Sequence, residues 1–136
     1  MTASPEITLD TNVLARYLLG DSPGEAKRAE ALLRRRARFH VMPTVLVELG
    51  WVLRVNGCAT EEIGDAVEHL MQLPGFESLA IPQTRYALNW LAQGLDWADA
   101  VHLAYAPQGA EMFTFDQAYV KAARRAGAFP AVRIVP

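Results

Sequence analysis

Short apolar runs alternate along this chain with longer stretches whose apolar residues recur at helical spacing, and few folds accept that rhythm. ITLD (7–10) reads as a strand, and TNVLARYLLG (11–20) as a helix with Val13, Leu14, Tyr17 and Leu18 on one face. SPGEAKRAEALLRRRAR (22–38) is helical by propensity, with Arg34, Arg35 and Arg36 in its last turn, where cations favour the helix dipole. FHVM is a second strand, Pro43 to Asn56 and Gly57 a helix, and Thr60 opens another that stops at Pro74 and Gly75. FESLAI (76–81) reads as a strand, PQTRYALNWLAQG and DWADAVHLAYA as helices, and EMFTF and VRIV as strands flanking the helix DQAYVKAARRAG. Alternation on this scale predicts an α/β fold with a mostly parallel sheet covered on both faces.

The chain has 136 residues, 51% of them hydrophobic and 21% charged. A chain of that size suits one compact domain burying roughly two-thirds of its unfolded surface, so residues 1–136 are expected to form a single domain. The apolar stretches fall well short of the ~20 residues that cross a bilayer, and the N-terminus has no basic region followed by an apolar core, so a cytoplasmic location is expected. Cys58 is the one cysteine, which excludes an internal disulfide and a Cys-rich zinc site; His40, His69 and His102 lack ligand-like spacing.

Against that apolar background, four acids stand out: Asp10 closing ITLD, Glu48 within VLVELGWVL, Asp99 within LDWADAVHLAY, and Asp116 closing MFTFD. A carboxylate buried in apolar surroundings loses several kcal/mol of hydration unless it is paired, hydrogen-bonded or bound to a cation. Ligands of open α/β sheets bind beyond the carboxyl ends of strands, where Asp10 and Asp116 are expected. Glu48 follows Val45 by three residues and precedes Leu49 and Val52, which predicts a place in their buried stripe; Asp99 shares a face with His102, Leu103 and Ala106.

Each acid also has an ordinary structural role open to it. Asp10 and Asp116 both precede helices and could be N-caps, while Asp96 and Asp99 form an acid-x-x-acid pair resembling a capping box, a role that suits Asp96 best. Thr11, Asn12 and Thr114 stand beside the acids and could orient water or phosphate, or serve turns and caps. The set is what requires a counter-charge: two carboxylates about 5 Å apart repel by roughly 3 kcal/mol at an effective dielectric of 20. Mg²⁺ or Mn²⁺ would supply it through all-oxygen ligands, and would activate a water for in-line attack on a phosphodiester.

The net charge of −2 conceals an asymmetry. Lys27, Arg28, Arg34, Arg35, Arg36 and Arg38 crowd residues 24–40 against Glu25 and Glu30, and Lys121, Arg124 and Arg125 form a second group. A basic flank beside an acidic centre suits a polyanionic substrate, so Arg34, Arg35, Arg36 and Arg38 are candidate RNA contacts; a solvated helix face accounts for the same run.

Together, ITLDTNVL, the mid-helix acid of VLVELGWVLR, LDWADAVHLA and the ending TFDQAY resemble PIN-domain ribonucleases, most closely the VapC-type toxins of toxin–antitoxin pairs. The resemblance spans nearly the whole chain and rests on the order and spacing of four motifs. It implies a three-layer α/β/α sandwich and a Mg²⁺- or Mn²⁺-dependent endoribonuclease using Asp10, Glu48, Asp99 and Asp116, with Asp96 beside the third motif. It also implies a homodimer held in check by a cognate antitoxin protein. A haloacid-dehalogenase-like phosphatase would need an Asp at position 12, which is Asn, and a nucleotide-binding module would need a glycine-rich phosphate loop. A PIN-like module that binds RNA or protein without cutting it is the remaining alternative.

Overall fold

The computed structural model describes residues 3–136, which divide into a unit ending at Ile81 and a second spanning Pro82–Pro136. In the first, strand β1 (Glu6–Thr8) pairs in parallel with β2 (Arg38–His40), Ile7 standing opposite Phe39. The crossover between them holds helices α1 (Thr11–Leu19) and α2 (Pro23–Leu33), and α3 (Pro43–Val55) and α4 (Thr60–Met71) follow. Their inner faces supply the core: Leu14, Leu33, Leu46, Leu49, Leu53, Ile63, Val67 and Leu70 are all buried, as is Phe39 of β2. Removing each such leucine from water contributes roughly 1.5–3 kcal/mol. Prolines at the first turns of α2 and α3 start those helices without wasting a hydrogen bond, because a helix's first N–H groups have no intrahelical partner.

Two local expectations are corrected here. The helix α2 ends at Leu33, so Arg34 is its C-cap and Arg35 and Arg36 lie in the turn beyond it rather than in its last turn. The run FESLAI forms turns, not a strand. Phe76 and Leu79 are buried, so the apolar signal was real, but it belongs to a loop that plugs the core. That loop satisfies β2 without a ladder: the Phe39 N–H donates to the Gly75 carbonyl at 2.7 Å, and the Ser78 hydroxyl donates to the Phe39 carbonyl at 2.8 Å. The Phe39 and Phe76 rings stack with centroids 5.1 Å apart. Gly75 is required at the approach, since its φ is +87° and a Cβ there would lie 2.3 Å from the Ala37 carbonyl oxygen.

The second unit comprises α5 (Pro82–Ala92), α6 (Trp97–Ala104), β3 (Met112–Thr114), α7 (Gln117–Ala126) and β4 (Val132–Ile134). β3 and β4 pair in parallel across the α7 crossover, Phe113 opposite Arg133. Trp90, Leu91, Leu95, Trp97, Val101 and Leu103 fill its core, and Phe129 meets the Trp90 ring edge-on at 5.2 Å. The α/β class expected from the alternation therefore holds, with both strand pairings parallel. Among the described residues no helix is long and apolar enough to cross a membrane.

Candidate active site

Asp10 and Glu48 both belong to the first unit. Asp10 follows β1 by two residues and holds the N-cap position of α1 with extended backbone, φ −81° and ψ 156°, yet its side chain accepts no capping hydrogen bond. The ordinary explanation for an Asp there is not realised, and its exposed carboxylate is committed to no cap. Glu48 does not share the buried stripe of α3 as its spacing predicted. That stripe is Leu46, Leu49, Gly50 and Leu53, and Glu48 lies beside it, exposed. Val45 and Val52, its expected companions, are themselves only partly buried, which is why a three-four-seven count along the helix pointed to the wrong face.

What holds Glu48 is Thr11, whose hydroxyl donates to Glu48 Oε1. Thr11 is only 3% exposed, so its hydroxyl is fixed by packing, and the carboxylate it grips is correspondingly fixed. Asn12 is exposed on the next position of α1.

Asp96, Asp99 and Asp116 come together in the second unit. Asp96 caps α6, accepting from the Asp99 N–H at 3.3 Å, as its spacing predicts. Asp116 caps α7 through Oδ1, which accepts from the Ala118 and Tyr119 N–H groups at 2.9 and 3.2 Å, leaving Oδ2 outside the cap. Thr114 fixes the turn into that cap, its hydroxyl accepting from the Asp116 N–H at 3.0 Å. Asp99 is partly buried on the first turn of α6. Burial pushes its carboxyl above the usual range, the charges of Asp96 and Asp116 push it further, and His102 pulls the other way. Three carboxylates thus share one neighbourhood, and the most buried of them is reluctant to ionise there.

Tyr119 is a neighbour that the sequence did not single out. Its hydroxyl donates to the Asp99 backbone carbonyl at 3.3 Å, and its own pKa is pushed up to about 12, by burial first and by Asp99 second. A buried tyrosine one turn into a helix looks like core in sequence, so only the fold reveals that it braces the segment carrying Asp99.

Of the candidate arginines, Arg34 pairs with Glu30 at 2.6 Å and Arg38 with Glu6 at 3.5 Å. Glu6 also meets His40 Nε2 at 2.5 Å, and the bond to His40 holds its carboxyl below the usual range. Arg35 and Arg36 are exposed and form no ion pair among the described residues.

The donor chemistry of Asp10, Glu48, Asp99 and Asp116 is all carboxylate oxygen, which fits a hard divalent ion and not a soft one. Among the described residues no group of three or more His, Cys, Asp or Glu side chains stands arranged as a ready metal cage. Burial lifts Asp99 first and the neighbouring carboxylates lift it further, and a bound cation would offset both.

Residues 7–125 match the family model of the PIN domain. No curated protein and no solved structure matches the chain. PIN domains are generally nucleases and typically use divalent metal ions.

Proposed function

The chain belongs to the PIN-domain family, and from that premise we propose that it is a Mg²⁺- or Mn²⁺-dependent endoribonuclease in which Asp10, Glu48, Asp99 and Asp116 hold the metal. The observation that carries this is the extent of the match: it runs from residue 7 to residue 125 and so takes in all four acids. A divalent ion bound by these carboxylates would supply Lewis-acid activation of water and charge stabilisation at the phosphodiester. The protein's own residues prepare for it. Thr11 fixes the Glu48 carboxylate, the α7 N-terminus fixes one oxygen of Asp116 and leaves the other available, and burial of Asp99 keeps that carboxylate poorly hydrated, so it gains most from a cation.

The biological role we assign is that of the toxin of a toxin–antitoxin pair, acting on RNA as a homodimer and restrained by a cognate antitoxin in the cytoplasm. It rests on the likeness of TLDTNVL, VELGWVL, DWADAVHLA and TFDQAY to the VapC type. Asp96 and Thr114 support the site by holding the segments that carry Asp99 and Asp116, and Asn12 flanks Asp10 and Thr11. Arg35 and Arg36, with no acid of their own to neutralise, are the strongest candidates in their run for substrate phosphate, with Arg34 and Arg38 drawn in when they exchange Glu30 and Glu6 for RNA.

The test is cleavage of single-stranded RNA by the purified chain with Mg²⁺ or Mn²⁺, with chelator, and with Asp10→Asn or Asp99→Asn. Activity that requires the ion and is lost in both variants is expected. RNA that is bound and left intact under all ionic conditions would make the chain a binding module. Replacing Arg35 and Arg36 by Gln should lower the salt slope of RNA binding by roughly 0.7 for each phosphate no longer neutralised. An unchanged slope would return them to solvent.

A further inference from the structure

Phe115 is 81% exposed, more than any other large hydrophobic side chain on the described surface, and it immediately precedes Asp116. An exposed phenylalanine needs a reason, and the local one fails. Phe115 stands just before the N-cap of α7, where a hydrophobic residue ordinarily packs against the fourth helical residue, here Val120. At 81% exposure it is not withdrawn into such a staple. Phe113, two residues earlier, is also 51% exposed. β3 ends at Thr114, whose carbonyl accepts from the Val135 N–H at 3.0 Å, and Phe115 stands at the bend between that strand and α7. Two exposed phenyl rings thus stand on either side of Thr114, directly before Asp116.

Beyond them α7 carries Lys121, Arg124 and Arg125, all exposed and none in an ion pair among the described residues. Arg133, opposite Phe113, is by contrast occupied by Glu111 at 3.1 Å. At about 1.5 Å per residue, Lys121 and Arg125 lie about 7.5 and 13 Å along the helix from Asp116. The residues just after Phe115 (Asp116, Gln117 and Ala118) are polar or small and exposed, so the apolar surface does not continue into the first turn of α7. Open aromatic faces followed by unpaired cations suit single-stranded RNA, whose bases stack on the rings while its phosphates meet the cations.

We propose that Phe115, with Phe113 beside it, is a base-stacking platform for the nucleotides next to the cleavage point, and that Lys121, Arg124 and Arg125 carry the strand's phosphates away along α7. This rests on the nuclease reading for its substrate class, but its test does not depend on cleavage. The measurement is anisotropy of a labelled octauridylate with the full chain bearing Asp99→Asn in chelator, so that nothing is cut. Phe115→Ala should weaken binding about 5- to 150-fold, the worth of one stacked base, without changing the salt slope; Phe115→Trp should retain binding and show quenched fluorescence on adding RNA. Lys121→Gln with Arg125→Gln should do the reverse, lowering the salt slope by roughly 0.7 for each phosphate released. Replacing the bases by an abasic ribose-phosphate strand should erase the difference between Phe115 and Ala. Affinity within twofold of the parent for Phe115→Ala overturns the proposal, as does equal binding of the abasic strand. So does a change in oligomeric state by light scattering with RNA affinity intact, which would make the patch a self-association surface. A wild-type chain that never cleaves RNA with Mn²⁺ but loses stacked binding in Phe115→Ala would defeat the nuclease reading and leave the platform standing.

Discussion

The two units hold their acids in opposite ways. In the first, Asp10 caps nothing, and Glu48 accepts a single hydroxyl bond from the buried Thr11. In the second, Asp96 and Asp116 are structural N-caps, and the partly buried Asp99 stands among like charges. The same residue type is therefore separable from folding on one side and entangled with it on the other. A substitution at Asp10 should report on chemistry alone, and one in the second unit on chemistry and stability together.

That contrast is sharpest in the activity of Asp10→Asn against Asp99→Asn. Both should lose more of RNA cleavage than the roughly 10- to 100-fold typical of outer residues of a metal site. The two should part in thermal denaturation without metal: Asp10→Asn should melt with the parent, and Asp99→Asn at or above it because a buried charge and its repulsion by Asp96 and Asp116 are removed. Full cleavage by either variant would break the assignment.

Thr11→Val comes next. It keeps the buried shape and deletes the donor to Glu48, so cleavage should fall by about 10- to 100-fold with a raised metal requirement, and Thr11→Ser should restore it. If Val at this position cuts RNA as well as Thr, the grip on Glu48 has no functional weight.

Smaller effects lie in the caps. Urea titration of Asp116→Ala should show a loss of about 1 kcal/mol from the α7 N-cap, whereas Asp116→Asn should keep most of that stability and Asp10→Ala should stay within about 0.5 kcal/mol of the parent. Equal losses at positions 10 and 116 would erase the distinction between the units.

The smallest is a pH effect on the metal-free chain. Because Asp99 has a raised folded pKa, the stability it contributes is fully present below its ordinary value of 3.8 and is lost as pH rises through the raised value. Asp99→Asn, which does not titrate, should therefore gain on the parent over that window, and saturating Mg²⁺ should close the gap. A constant offset across the window would show that neither burial nor its acidic neighbours raise the Asp99 carboxyl in solution.

Much of this was legible along the chain. The helices opened by Thr11, Pro43, Thr60 and Pro82 begin where the sequence places them, and Asp96 caps α6 as its i, i+3 relation to Asp99 predicts. Helix α2 stops at Leu33, short of Arg35 and Arg36, and the other two departures arise where apolar content suggests regular geometry. FESLAI carries a buried Phe and Leu, but Gly75 and Ser78 supply β2's missing hydrogen bonds from a loop. Glu48 sits at helical spacing from apolar residues, yet the buried face of α3 runs through Leu46, Leu49 and Leu53. Periodicity reports that a helix is amphipathic, and a helix this apolar leaves its burial angle to whatever packs against it.

Sequence by itself determined the α/β alternation, the helix starts and the acid-bearing motifs that place the chain among PIN domains, because these depend on residues within a turn or two of one another. Tertiary structure alone decided that Thr11 reaches Glu48 across 37 positions, that Tyr119 braces Asp99, and that Asp10 is left uncapped while Asp116 is not. Hydrogen bonds and desolvation between distant residues are set by packing, and packing is settled only when the whole core closes.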